Sequence, residues 1–233
     1  MEKHLVVLSG AGMSAESGIK TFRDADGLWE GHEVMEVASP EGWHNNRELV
    51  LDFYNQRRRH LLEVTPNKGH RILADLQNDF KMSIITQNVD DLHERAGSQN
   101  VIHLHGELLK VRSEIAPEMV LDWTTDLNSS DRNAEGHALR PDIVWFGEAV
   151  PEMERAINVV KEADFVLVIG TSLQVYPAAS LMDYAPKRAV IYYIDPKPAA
   201  VAATYQQLKI IPEKASRGLE MIKEELINWG QTL

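Results

Sequence analysis

Leu5-Val6-Val7-Leu8-Ser9-Gly10-Ala11-Gly12-Met13-Ser14-Ala15 is the stretch that decides the fold. Its aliphatic run reads as a strand buried on both faces, and its glycines as a tight turn into a helix start. The turn fits G-x-G-x-x-G/A, which lets a backbone approach a pyrophosphate at a helix N-terminus. The pattern then breaks. A full helix and a second strand ending in a ribose-binding acid are expected, but the chain gives Gly18-Ile19-Lys20-Thr21-Phe22-Arg23-Asp24-Ala25-Asp26-Gly27. This is a polar, glycine-punctuated loop, and it argues for a use of the dinucleotide other than hydride transfer.

Similar apolar runs recur at Met82–Thr86, Val101–Leu104, Asp142–Phe146, Phe165–Ile169 and Val190–Ile194. Between them, helical periodicity marks residues 40–62, 67–80, 151–163 and 215–229, with Pro151 suited to a first helical turn. Strands alternating with helices predict an α/β fold with a doubly wound, parallel, Rossmann-like sheet. Residues 19–80 and 107–140 do not fit simple alternation and read as insertions forming a small second lobe. The expected division is a single domain over 1–233. Its large lobe takes 1–18, 81–106 and 141–233, its small lobe 28–80 and 107–140, and a loop 19–27 lies between them.

Composition bounds the function. The 233 residues can bury a sizeable core. The net charge of −11 counts against general nucleic-acid or anionic-membrane binding. There is no cysteine, which excludes disulfides and thiolate metal sites. No apolar run approaches the roughly 18 residues of a membrane span. The chain enters its first strand almost at once, so neither a signal peptide nor a membrane segment is expected, and the expected location is cytoplasmic.

Chemistry-bearing residues gather where strands end, which is where such sheets bind ligands. Thr86 runs into Gln87-Asn88-Val89-Asp90-Asp91. These amides and carboxylates suit ribose hydroxyls or a carboxamide, although Asn88 or Asp90 would serve equally as a helix cap. In Val101-Ile102-His103-Leu104-His105-Gly106 the two histidines share one strand face. They suit a metal pair, a general base with His105 at the crevice, or a structural role. Gly170-Thr171-Ser172 could donate to phosphate, and Asp195 ends another strand with a carboxylate suited to ribose.

In this order, Gly10-Ala11-Gly12-Met13-Ser14, Gly18-Ile19 with Thr21-Phe22-Arg23, Thr86-Gln87-Asn88-Val89-Asp90, His103-Leu104-His105-Gly106, Val144-Trp145-Phe146-Gly147-Glu148 and Gly170-Thr171-Ser172 resemble the sirtuin family of NAD-dependent protein lysine deacylases. The resemblance covers essentially the whole chain. It implies that Gly10, Ala11, Gly12 and Ser14 line the NAD phosphates, and that Phe22 and Arg23 sit in a flexible loop beside the nicotinamide ribose. It further implies that Gln87, Asn88 and Asp90 hold the nicotinamide half and that Gly170, Thr171, Ser172 and Asp195 hold the adenosine half. His105 becomes the general base, with Asn88 and Asp90 also in the catalytic set. Val144, Phe146, Gly147 and Glu148 border an acyl-lysine channel and pair with the substrate backbone. NAD is a consumed co-substrate, and the products are nicotinamide, O-acyl-ADP-ribose and free lysine. Tyr54-x-x-Arg57, with Ala38 sixteen residues before Tyr54, is similar to the branch that removes succinyl, malonyl or glutaryl groups. Arg57 offers a bidentate fork for a carboxylate and Tyr54 a hydroxyl, while Ala38 leaves room for a longer chain. Without the resemblance, Tyr54 reads as core and Arg57 as part of a solvated basic face.

The chain departs from the family where most members carry four zinc-binding cysteines. Leu108-Leu109-Lys110-Val111-Arg112 matches the approach to the first ligand, but the next residue is Ser113, and only His137 is a plausible nitrogen ligand in 131–139. No zinc is therefore expected, and Val120, Leu121, Trp123 and Leu127 are expected to hold the small lobe by packing. Asp195 stands where the family usually has Asn, and Lys20-Thr21 replaces the Pro-Asp of many members. The competing activities are ADP-ribosyl transfer to protein, NAD hydrolysis, and a non-catalytic NAD-sensing module. The Val144–Glu148 motif counts against the first two, and intact His105, Asn88 and Asp90 count against the third.

Overall fold

A computed structural model describes residues 2–21, 28–29, 31–200, 205 and 207–232. Phe22 and Arg23 lie outside them. The strands are β1 (His4–Ser9), β2 (Leu28–Trp29), β3 (His32–Glu33), β4 (Lys81–Thr86), β5 (Val101–His103), β6 (Gly106–Ser113), β7 (Val120–Asp122), β8 (Leu139–Ile143), β9 (Phe165–Ile169), β10 (Val190–Ile194) and β11 (Leu208–Ile211). The helices are α1 (Val34–Val37), α2 (Pro40–Asn45), α3 (Arg47–Glu63), α4 (Lys68–Leu76), α5 (Leu92–Arg95), α6 (Met153–Val160) and α7 (Ala215–Thr232).

Six strands form one parallel sheet in the order β11-β10-β9-β1-β4-β5. Chain order therefore reverses at β1, the doubly wound arrangement whose crevice opens at the carboxyl ends of the strands. The two-residue period assigns each strand side chain to a layer. Leu5, Val7, Leu167 and Tyr192 face Leu73, Leu76, Leu219 and Leu226 of α4 and α7. Val6, Leu8, Val168 and Tyr193 face Ala156 and Val160 of α6 and the turn at Leu181 and Met182.

Several expectations change. Helix α4 packs on the large sheet beside α7 and so departs from the small lobe expected over 28–80. The helix expected over 40–62 is two helices. Asn46 adopts an extended φ of −148° and its side chain accepts from Leu49 N–H, so it caps α3 and ends α2. Pro151 precedes α6, which begins at Met153, and so does not open it. The run at Asp142–Phe146 is not a strand of the parallel sheet. Strand β8 ends at Ile143 and pairs antiparallel with β6 in a three-stranded sheet, β7-β6-β8, built largely from the insertion at 107–140.

The small sheet and α1–α3 enclose their own cores. Val37, Val50, Phe53, Tyr54 and Trp145 form one, and Leu51, Val111, Leu127 and Leu139 the other, with Trp123 packed at its edge. Val120 and Leu121, expected to hold this lobe, are 40% and 41% exposed, because β7 is the outer strand. A polar clasp works in their place. The Asn55 side chain donates to Leu127 O (3.0 Å) and accepts from Leu127 N (2.8 Å) and Arg58 Nη1 (2.7 Å). Arg58, fully buried, also donates from Nε to Leu108 O at 3.1 Å. Burial lowers its guanidinium to about 10. Ser113 Oγ accepts from Ile115 and Ala116 N–H and meets His137 Nδ1 at 3.2 Å. Among the described residues, no three His, Asp or Glu are grouped to hold a metal. None of the described helices is long and apolar enough to cross a membrane.

Replacing Asn55 by Ala removes three buried hydrogen bonds, one of them from the buried Arg58 guanidinium, so Asn55→Ala should destabilise folding by about 3 kcal/mol. Urea denaturation measures this directly, and an unchanged midpoint would refute the clasp.

Candidate active site

The crevice is set by two turns that interlock. Gly10 N–H donates to Ile169 O (3.0 Å) and Gly12 N–H to Gly170 O (2.8 Å), joining the turn after β1 to the turn after β9. A Cβ on Gly12 would lie 2.7 Å from Gly170 Cα, and one on Gly170 would lie 2.3 Å from Met13 N. Gly170 also has φ +63°, so both positions exclude side chains. The chain then makes two short 3₁₀ turns, Ala11–Met13 and Ala15–Ser17, in place of a long helix.

Above these turns lies one cavity of about 1070 Å³. It slightly exceeds the roughly 300–1,000 Å³ range of small-molecule sites. It brings together Gly10, Ala11, Gly12, Ser14, Gln87, Asn88, Asp90, His105, Gly170, Thr171, Ser172 and Asp195 from the large sheet. From the other side it gathers Ala38, Tyr54, Arg57, Val144, Phe146, Gly147 and Glu148. Every expected site residue among those described therefore lines a single space.

The floor is a fixed polar lattice. Ser14 Oγ donates to Asp90 Oδ2 (2.8 Å) and accepts from Asn88 Nδ2 (3.1 Å). Asp90 Oδ1 accepts from Leu92 N–H, so this carboxylate helps to start α5 as well as facing the cavity. Burial raises its pKa to about 6, against the pull of its hydrogen bonds to Ser14 and Leu92. Gln87 Nε2 donates to Thr171 Oγ1 at 3.1 Å, bridging the ends of β4 and β9. Asp195 is buried at the end of β10 and accepts from Lys197 N–H (2.8 Å).

The two histidines differ. His105 lies beyond the end of β5, and its Nδ1 meets Gln87 O at 3.1 Å. A carbonyl only accepts, so Nδ1 carries the proton and Nε2 keeps a lone pair. Burial lowers the pKa of His105, with the Gln87 bond pulling partly the other way. His103 contacts two acceptors, Asn88 O at 3.1 Å and Glu94 Oε1 at 2.8 Å, and so donates from both nitrogens. Burial opposes its charge, but Glu94, Glu107 and the bond to Asn88 O together outweigh burial and raise its pKa. His103 is not in the cavity lining. The two histidines form no metal pair.

The far wall is built on Glu148. Its carboxylate takes both Arg140 nitrogens (2.7 and 3.1 Å), Arg112 Nη2 (3.3 Å) and Trp145 N–H (2.8 Å). The Glu148 side chain is thus committed to holding its own loop, and its N–H bonds Trp145 O. Tyr54 is buried, and its hydroxyl accepts from Trp145 Nε1 at 3.0 Å. Arg57 lies one turn along α3, with its guanidinium 3.3 Å from the Phe53 ring centroid. Sequence reasoning missed Trp29, Met35, Trp145, Lys197 and Lys214, which also line the cavity. Lys197 follows β10 and was discoverable from the strand-end rule. Trp29 and Lys214 arrive from distant segments and carried no local signal.

A model described as "Sir2 family" matches residues 10–177. An NAD-dependent protein deacylase of Helicobacter pylori is 61% identical over 225 residues, covering 97% of this chain and 98% of that protein. One from Bacteroides thetaiotaomicron is 52% identical over 231 residues, covering 97% and 98%. A Sir2 homolog–NAD complex superposes with a TM-score of 0.86 at 37% identity, covering 99% of this chain and 91% of that one. A Sir2 bound to acetylated peptide superposes at 0.79 with 26% identity, covering 96% and 93%. With its interlocked glycine turns, its reversed parallel sheet and these relatives along nearly its whole length, the chain belongs to the Sir2 family.

Proposed function

We propose that this protein is an NAD-dependent protein lysine deacylase that removes succinyl and malonyl groups as well as acetyl. The observation that carries the reading is the placement of Tyr54, Arg57 and Ala38 in the same cavity as His105, Asn88 and Asp90. Relatives named NAD-dependent protein deacylase support the activity. The acidic-acyl preference rests on the chemistry of the wall. A guanidinium and a buried hydroxyl three residues apart on one helix suit a carboxylate and have no use for a methyl.

The residues fit NAD. The turn at Gly10, Ala11, Gly12 and Ser14 would take the phosphates. Gln87, Asn88 and Asp90 would take the nicotinamide half, and Gly170, Thr171, Ser172 and Asp195 the adenosine half. Phe22 and Arg23, outside the described residues, are assigned to the nicotinamide ribose by the family resemblance alone. When bound, NAD supplies an electrophilic ribose carbon with nicotinamide as its leaving group. His105 Nε2 holds a lone pair facing this space and accepts a proton there. The bond from Nδ1 to Gln87 O fixes the tautomer. Ser14 and Asn88 hold Asp90 in place without reorganisation. Val144, Phe146 and Gly147 would border the acyl-lysine and pair with the peptide backbone. The partner is an acylated lysine on a protein surface.

Arg57→Met should lower kcat/KM for a succinyl-lysine peptide by about 100-fold, a charge-assisted pair's worth, and that for the acetyl peptide by far less. Equal loss on both peptides would remove the acidic-acyl assignment. A neutral His105 is required, and burial depresses its pKa, so kcat/KM should fall with acid along a limb whose midpoint lies below pH 6.5. Protonation of Asp90, at about 6, contributes to the same limb. His105→Ala should reduce turnover by about 10²–10⁴-fold and abolish the part of the limb due to His105. A profile unchanged in shape would exclude His105 as the base.

A further inference from the structure

Tyr54 is buried in the cavity wall, and its phenol oxygen accepts the indole N–H of Trp145 at 3.0 Å. A phenol O–H lies near the plane of its ring and has two orientations. The indole hydrogen occupies the accepting side, so the hydroxyl proton must take the other. Among the described residues no acceptor for that proton is present, although Tyr54 lines the cavity. A buried donor left without a partner is costly unless a ligand supplies the acceptor. Burial also holds the Tyr54 hydroxyl well above its ordinary range, so it remains a donor at neutral pH.

Trp145 is itself held from two directions. Its backbone N–H donates to Glu148 Oε2 (2.8 Å), and the Arg140 guanidinium lies 3.4 Å from its ring centroid. Arg140 is fixed in turn by two bonds to Glu148 and one to Ile143 O. The indole has little freedom to turn its N–H away.

We propose that Trp145 is a positioning residue for acyl specificity: its indole N–H commits the Tyr54 proton to the cavity, where the carboxylate end of an acidic acyl group accepts it. The proposal rests on the acidic-acyl reading above. It extends that reading from the two residues that meet the acyl group to one that acts through them. An acetyl group carries no carboxylate at that point and gains nothing from the arrangement.

The test is steady-state deacylation of matched succinyl- and acetyl-lysine peptides with NAD, using wild type, Arg57→Met, Trp145→Phe, Tyr54→Phe and the Trp145→Phe/Tyr54→Phe double variant. Trp145→Phe should raise KM for the succinyl peptide about five- to tenfold, a neutral hydrogen bond's worth, and shift the acetyl KM by a much smaller factor. The double variant should match Tyr54→Phe alone, because without the hydroxyl the indole N–H has nothing to orient. Replacing Trp145 with 3-benzothienylalanine removes the N–H at nearly constant volume. It gives the same readout if the Phe variant folds poorly. An equal effect on both peptides, or an effect that adds fully to that of Tyr54→Phe, overturns the proposal and leaves Trp145 a packing residue. If wild type turns over succinyl peptide, Arg57→Met loses it and Trp145→Phe leaves the selectivity ratio unchanged, only this inference falls. If wild type does not act on succinyl peptide at all, the acidic-acyl reading falls, and this inference with it.

Discussion

The site depends on one backbone contact, the meeting of the turns after β1 and β9. Gly12 N–H reaches Gly170 O at 2.8 Å, and no side chain can be added at either glycine without collision. Two adjacent parallel strands are thereby clamped at their carboxyl ends, where the sheet reverses its winding order. That clamp sets where Ser14 stands, and Ser14 in turn ties Asp90 and Asn88 to the floor. The bridge from Gln87 to Thr171 runs across the same clamp. A loosened turn would move donors from both halves of the cavity together.

The small lobe solves a different problem. The chain has no cysteine to staple it. Asn55 and Arg58 on α3 bind the backbones of Leu108 and Leu127 instead, so one helix holds both β6 and the segment that follows β7. The same helix presents Tyr54 and Arg57 to the cavity. Lobe stability and the proposed acyl wall therefore share one element, so helix α3 cannot shift without altering both.

The large sheet was legible because its strands are buried on both faces, and unbroken Val and Ile runs such as Phe165–Ile169 carry that signature. The signal weakens where burial is one-sided. Strand β11, at the sheet's edge and half-exposed, escaped notice, and so did β6 within a segment that looked irregular. The Asp142–Phe146 run misled because Ile143, at the end of β8, and Trp145, just beyond it, pack in the small lobe and not in the parallel sheet. Val120 and Leu121 misled because an outer strand needs no buried face. At the site, residues at strand ends were readable from position alone. The bond between Trp145 and Tyr54 was not, because it joins residues 91 apart in sequence through a side-chain geometry no local pattern encodes.

The most direct test of the central claim is mass-spectrometric analysis of the products formed from NAD and an acyl-lysine peptide. The account predicts one nicotinamide and one O-acyl-ADP-ribose for each deacylated peptide, with all three lost together in His105→Ala. NAD cleavage without deacylation, or an ADP-ribosylated peptide as the main product, would contradict it.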